Sequence, residues 1–198
     1  MSDQTIIRAA AAADAASVES SAENAILRAA LAEAQRRIEE LEGQGEGDRL
    51  TGLANARRFA AAVERVAGLA QRHRTQAAIV LIDLRGLGAI NDAHGRLAGD
   101  SALVHVGRLL SGLIRTTDLL ARTGGSEFGL LLDHLDADSA IDTAERLAHC
   151  IAASPLDLGH AKVPLRAAAA SAAILPGDAA PEIMMRAARN LAHARAEA

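Results

Sequence analysis

The sequence predicts an α/β sandwich, a central and mostly antiparallel sheet flanked by helices, with a coiled-coil helix ahead of it. Three observations carry this. Helix-period and strand-period patterns follow one another as helix, strand, helix, helix, strand, strand, helix, strand, helix. Residues 77–83, Ala-Ala-Ile-Val-Leu-Ile-Asp, form a continuous apolar run closed by a carboxylate, as a buried central strand reads. Residues 118–132 are two apolar runs around Gly124-Gly125, which reads as a hairpin whose glycines can take φ > 0 at no steric cost.

The chain has 198 residues, enough for one ordinary domain and a short extension. Phe59 and Phe128 are its only aromatic residues, so a protein that stacks bases on aromatic side chains is excluded. A formal net charge of −4 argues against a phosphate-backbone binder, so no nucleic-acid partner is expected. Cys150 is the one cysteine and cannot form an internal disulfide; it reads as a buried, inert thiol. That usage fits a reducing cytoplasm. No apolar run approaches the ~18 residues of a membrane span, and the N-terminus lacks a basic region followed by an apolar core. A cytoplasmic protein without a membrane span is the expectation.

Residues 1–20 are Ala-rich with scattered acids and read as either frayed helix or disorder. In 21–42, Leu27, Leu31, Ala34, Ile38 and Leu41 are spaced 4, 3, 4, 3, the seam of a coiled coil. A helix this short needs a partner, so a parallel homodimer is expected through it. Gly43, Gly45 and Gly47 make 43–47 a hinge. Residues 48–198 are then one domain. In Asp48-Arg-Leu-Thr-Gly-Leu-Ala-Asn55 the short polar side chains of Asp48, Thr51 and Asn55 can bond nearby backbone and fix a turn. A helix follows to about Arg74. After the strand 77–83 come a short helix 84–92, a loop 95–99 and a helix 100–114 with Asp100 at its start. The hairpin is next, then an amphipathic helix 136–153 carried by Ile141, Ala144, Leu147, Ala148 and Ile151. Residues 155–159 are expected to turn. A strand is expected within 162–175, although Ala167 to Ala170 are poor strand formers. The last helix spans 182–196.

Gly124-Gly125-Ser126-Glu127-Phe128 resembles the signature of the GGDEF family, the diguanylate cyclases that join two GTP molecules into cyclic di-GMP. Asp48 to Asn55 resembles the family's entry motif, and 90–100, Ile-Asn-Asp-Ala-His-Gly-Arg-Leu-Ala-Gly-Asp, keeps its spacing. The resemblance covers about 48–195. It implies a fold related to nucleotide-cyclase and polymerase palm domains. It also implies roles: Asp83 as the first metal-binding aspartate, Asn91 and Asp100 as the guanine-contacting pair, and Glu127 as the fourth signature position. Arg195 stands for the lysine of the last helix.

Several positions depart from that pattern. Ser126 replaces a metal carboxylate with a neutral hydroxyl, a far weaker Mg²⁺ ligand. Gly88 replaces a phosphate-binding lysine, and Arg85 an aspartate. Ala188 and Ala192 replace an aspartate and a tyrosine. Losing one preorganised charged group commonly lowers a rate by about 10²–10³. The expectation is therefore a catalytically inactive member with vestigial GTP residues Asn91, Asp100 and Arg195 and a vestigial metal position at Asp83.

Arg115-Thr-Thr-Asp118 lies where the family carries its Arg-x-x-Asp inhibitory site. A planar guanidinium can grip phosphate while the carboxylate accepts from a guanine edge. Arg122 is expected to add a second cation. These features imply a cyclic di-GMP receptor in bacterial second-messenger signalling, binding at Arg115, Asp118 and Arg122 and acting on an unidentified protein partner. No cofactor is required, and Mg²⁺ enters only where residual GTP binding persists. The alternatives are a weakly active diguanylate cyclase and a nucleotide-independent dimeric scaffold.

Overall fold

The computed structural model describes Gly45 and residues 47–197. The expected N-terminal segment 1–20, the coiled coil 21–42, and Gly43, Gln44 and Glu46 of the hinge lie outside the described residues. The elements are β1 (Ala54–Asn55), α1 (Ala56–His73), β2 (Ala77–Arg85), α2 (Leu87–His94), α3 (Arg96–Leu113), β3 (Leu119–Arg122), β4 (Glu127–Asp133), α4 (Ala137–Ala153), β5 (Leu156–Asp157), β6 (Lys162–Val163), β7 (Arg166–Ile174) and α5 (Ala180–Glu197).

Five strands form one sheet in the order β1-β3-β4-β2-β7, parallel only between β1 and β3. The alternation of β2 sets the two layers. Val80, Ile82 and Leu84 pack with Val106 and Leu110 of α3 and Leu147 and Ile151 of α4. Ala77, Ile79 and Leu81 pack with Phe59 and Val63 of α1 and Ile183 and Leu191 of α5. Asp83 continues the second parity and so points toward the α1–α5 side. Glu127 is its partner in register on β4.

The entry turn forms as its polar residues suggest. Thr51 donates to Asp48 Oδ1 through its backbone N–H (2.8 Å) and its hydroxyl (2.6 Å). Asn55 caps α1, accepting from the Arg58 N–H at 3.0 Å.

Four local expectations are corrected. The 95–99 loop does not form, because Gly95 at φ 85° turns the chain straight from α2 into α3. Asp100 therefore lies one turn inside α3 and not at its start. The glycines of the β3–β4 turn do not take φ > 0. That four-residue connection closes instead through the N–H groups of Thr123 and Gly124, which both donate to the Glu127 carbonyl at 2.9 and 3.3 Å. The 155–159 region is partly a small hairpin, β5 with β6, and not simply a turn.

The alanine-rich strand does form. β7 pairs along its whole length with β2 and is packed by α4 and α5, and small side chains let helices approach the backbone closely. Its outer edge is occupied. Arg186 and Asn190 of α5 donate to the carbonyls of Ala173 (2.6 Å) and Ser171 (2.8 Å). Among the described residues, no helix is long and apolar enough to cross a membrane.

Candidate functional site

The carboxyl end of β2 and the tip of the β3–β4 hairpin bring Asp83, Ser126 and Glu127 together. Ser126 is placed by the sheet ladder, since its carbonyl accepts from the Leu84 N–H at 2.9 Å. Its hydroxyl donates to Asp83 Oδ1 at 2.7 Å. Thr123 Oγ1 donates to Glu127 Oε1 at 3.0 Å. Arg195, in the last turn of α5, lies between the two carboxylates: its Nε is 2.9 Å from Asp83 Oδ2 and its Nη2 donates to Glu127 Oε2 at 3.2 Å. The Nε–H is not aimed at an acceptor, so the shorter contact is Coulombic and not a hydrogen bond. Arg85 donates from Nη1 to the Arg195 carbonyl at 2.9 Å. Among the described residues no group of three or more His, Cys, Asp or Glu side chains gathers in a way that could hold a metal ion.

Phe128 is fully buried in the core, so that signature position anchors the hairpin. Gly124 and Gly125 are exposed at the tip. Asn91, on α2, packs against the backbone of α3, where a Cβ on Gly99 would stand 2.0 Å from its Oδ1. The lack of a side chain at Gly99 is what lets Asn91 approach α3 at this point. Gly88 faces open space.

Arg115 and Asp118 meet at the opposite end of β3. The Arg115 N–H donates to Asp118 Oδ2 at 3.0 Å, and the Asp118 N–H donates to the Arg115 carbonyl at 3.1 Å. This closed turn leaves the Arg115 side chain exposed. Both residues line a notch of about 80 Å³ with Leu113, Asp133, Thr143 and Arg146, so two carboxylates and two guanidiniums border it. Arg146, on α4, is absent from the sequence reading. Its only signal there is a cation on the polar face of an amphipathic helix.

Arg122 does not line this notch. It stands at the far end of β3, four residues or about 13 Å of strand from Asp118. Its guanidinium bonds Asp48 Oδ2 (3.1 Å) and the Gly125 carbonyl (2.7 Å), bracing the entry turn against the hairpin tip.

Comparison with known proteins gives consistent findings. The family model described as diguanylate cyclase, GGDEF domain, matches residues 46–198. An uncharacterized protein in the hutH 5'region of Streptomyces griseus is 38% identical over 140 residues, covering 68% of this chain and 56% of that protein. The diguanylate cyclase TpbB of Pseudomonas aeruginosa is 40% identical over 89 residues, covering 45% of this chain and 20% of that protein. The chain thus spans about half or less of the length of these relatives. The coiled coil and GGDEF domain of DgcB from Caulobacter crescentus, solved in complex with c-di-GMP, superposes with a TM-score of 0.72 at 23% identity, covering 88% of this chain and 94% of that one. That likeness is one of fold.

Proposed function

The chain belongs to the GGDEF family, and we propose that this member no longer synthesises cyclic di-GMP and serves as a receptor for it. The observation that carries the proposal is the convergence of Arg115, Asp118 and Arg146 on one notch. Two guanidiniums can hold a phosphate from two sides, and the carboxylate can accept from a guanine edge. A phosphate would enter the notch, with the bases lying on the surface around it. The complex of DgcB with c-di-GMP supports the ligand class for this fold.

Loss of synthesis follows from Ser126. Joining two GTP molecules needs divalent metal held by facing carboxylates, and here one of that set is a hydroxyl donating to Asp83. Gly88 presents no amine toward the phosphates. Output would pass to a protein partner through a change in a homodimer held by residues 21–42.

A second reading, a weakly active cyclase, draws on the close approach of Asn91 to Gly99, the residue before Asp100. Calorimetry of the full chain with cyclic di-GMP, paired with long incubation in GTP and Mn²⁺ followed by product analysis, separates the readings. The receptor predicts saturable binding and no product. Product at a rate comparable to an intact cyclase, or no binding of cyclic di-GMP, would overturn it.

A further inference from the structure

We infer that the cavity between α2, the end of α4 and the strands β6 and β7 is a binding site for an amphipathic organic anion, a small molecule with an apolar body and a carboxylate head. The inference goes beyond the receptor reading and does not depend on it.

The cavity measures about 840 Å³, within the range of small-molecule sites. It is separate from the Arg115 notch, with which it shares no residue. Asp83, Asn91, Ser126 and Glu127 do not line it either. Its walls are apolar. Ile90 of α2 and Val163 of β6 are buried beneath it, and Pro164 with Ala89, Ala93, Ala152 and Ala167 completes the lining. The polar side chains on its border are all basic: Arg85, His94 and Arg166. His94 there meets His160, from the turn between β5 and β6, with ring centroids 6.0 Å apart. No carboxylate, hydroxyl or amide side chain lines the cavity.

Arg85 and Arg166 are partners in register on the antiparallel strands β2 and β7. Like charges directly opposite each other are destabilising. Among the described residues neither is ion-paired to a carboxylate. Arg85 donates one N–H to the Arg195 carbonyl, which carries no charge, and Arg166 is exposed. A carboxylate at this border would relieve the repulsion, and a planar guanidinium can hold it by two parallel bonds. The border thus selects a negative head. The walls select an apolar body, because a bare inorganic anion would gain nothing from Ile90, Val163 and the alanines.

The test titrates the isotope-labelled full chain with sodium octanoate and follows its backbone amides by NMR, with octan-1-ol as the uncharged match. Wild type is expected to show saturable octanoate shifts centred on α2 and on residues 163–167. Octan-1-ol should bind there at least about tenfold more weakly, for want of a charge-assisted contact. Arg166→Ala should lower octanoate affinity about tenfold and leave that for octan-1-ol unchanged. Ala93→Phe puts a ring into the cavity and should weaken both ligands at least about tenfold. Position 93 is exposed, so the ring does not overpack the core, and melting temperatures check that each variant is folded. No saturable shifts in wild type, or saturable shifts centred elsewhere, would overturn the inference. So would equal affinities for octanoate and octan-1-ol, or octanoate binding that both substitutions leave unchanged. Cyclic di-GMP appears nowhere in this assay, so failure of the receptor reading leaves its outcome unchanged.

Discussion

The Phe59 ring lies so close to the backbone of Gly129 that a Cβ at position 129 would come 2.8 Å from its Cζ. Thr123 Cγ2 crowds the same point at 2.9 Å. Phe59 is fully buried, and Gly129 sits in the middle of β4, so neither can yield easily. Gly129→Ala should lower stability by about 1–3 kcal/mol, the range for overpacking a core. Urea midpoints of Gly129→Ala, Phe59→Leu and the double variant check the cause. The second change should cost less in the presence of the first, whereas strict additivity would show that the two positions do not collide.

Ser126→Glu alone should not restore full cyclic di-GMP synthesis. The new carboxylate would face Asp83, but Gly88 still lacks an amine and Arg195 still bridges the acids. Product analysis after incubation with GTP and Mg²⁺ measures this. Activity equal to an intact family member would show that Gly88 and Arg195 matter little to turnover.

Arg115→Ala removes one charge-assisted contact to cyclic di-GMP, worth about 1.5–3 kcal/mol or roughly a tenfold to hundredfold loss of affinity. Arg146→Ala should act in the same direction, because it borders the same notch from α4. Asp118→Ala differs in kind. It also deletes the acceptor of the Arg115 N–H, so it should lower stability by about 1 kcal/mol besides weakening the ligand. Calorimetry with parallel urea melts distinguishes them; equal affinities for wild type and Arg115→Ala would leave the notch without a ligand role.

Asp178 links the turn after β7 to α5. Its hydrogen bond from Arg186 holds the carboxyl below its ordinary 3.8, assisted by the Leu175 N–H. A carboxyl depressed in the folded state contributes stability fully present above its unfolded value, and loses it as pH falls through the folded value. Wild type should therefore exceed Asp178→Asn in stability at pH 7, with the gap closing below about pH 4. A gap that persists unchanged down to pH 2 would mean that the pair does not titrate with folding.

For the residues ahead of the hinge, Leu31→Asp with Ile38→Asp puts charges into the predicted seam. Sedimentation should then show a monomer where the wild type is a dimer. A monomeric wild type at high concentration would remove the seam.

Most of the fold was legible because helix and strand periods differ. β2 announces itself by an unbroken apolar run, and α4 by Leu147 and Ile151 on one face. What was hidden depended on backbone geometry or on partners distant in sequence. Nothing in a composition of Gly95-Arg96-Leu97 says that one residue at φ 85° replaces a loop. Asp83, Ser126 and Glu127 could be named because their motifs resemble the family's, and strand register then brings Asp83 and Glu127 together. Arg146 could not, because it reaches the Arg115 notch only through the packing of α4. Arg122 was misplaced for the converse reason: nearness in sequence to Asp118 does not survive four residues of extended strand.

The side chains along β7 have a consequence for crowded solutions. A nine-residue strand of mostly alanine is chemically close to silk, and left bare it would recruit like strands. Arg186 and Asn190 occupy two of its outward carbonyls, while the opposite border, β1, is only two residues long. The sheet thus has a dead end on each side. Removing both side chains together is therefore expected to open that edge to pairing with other chains, read as concentration-dependent aggregation.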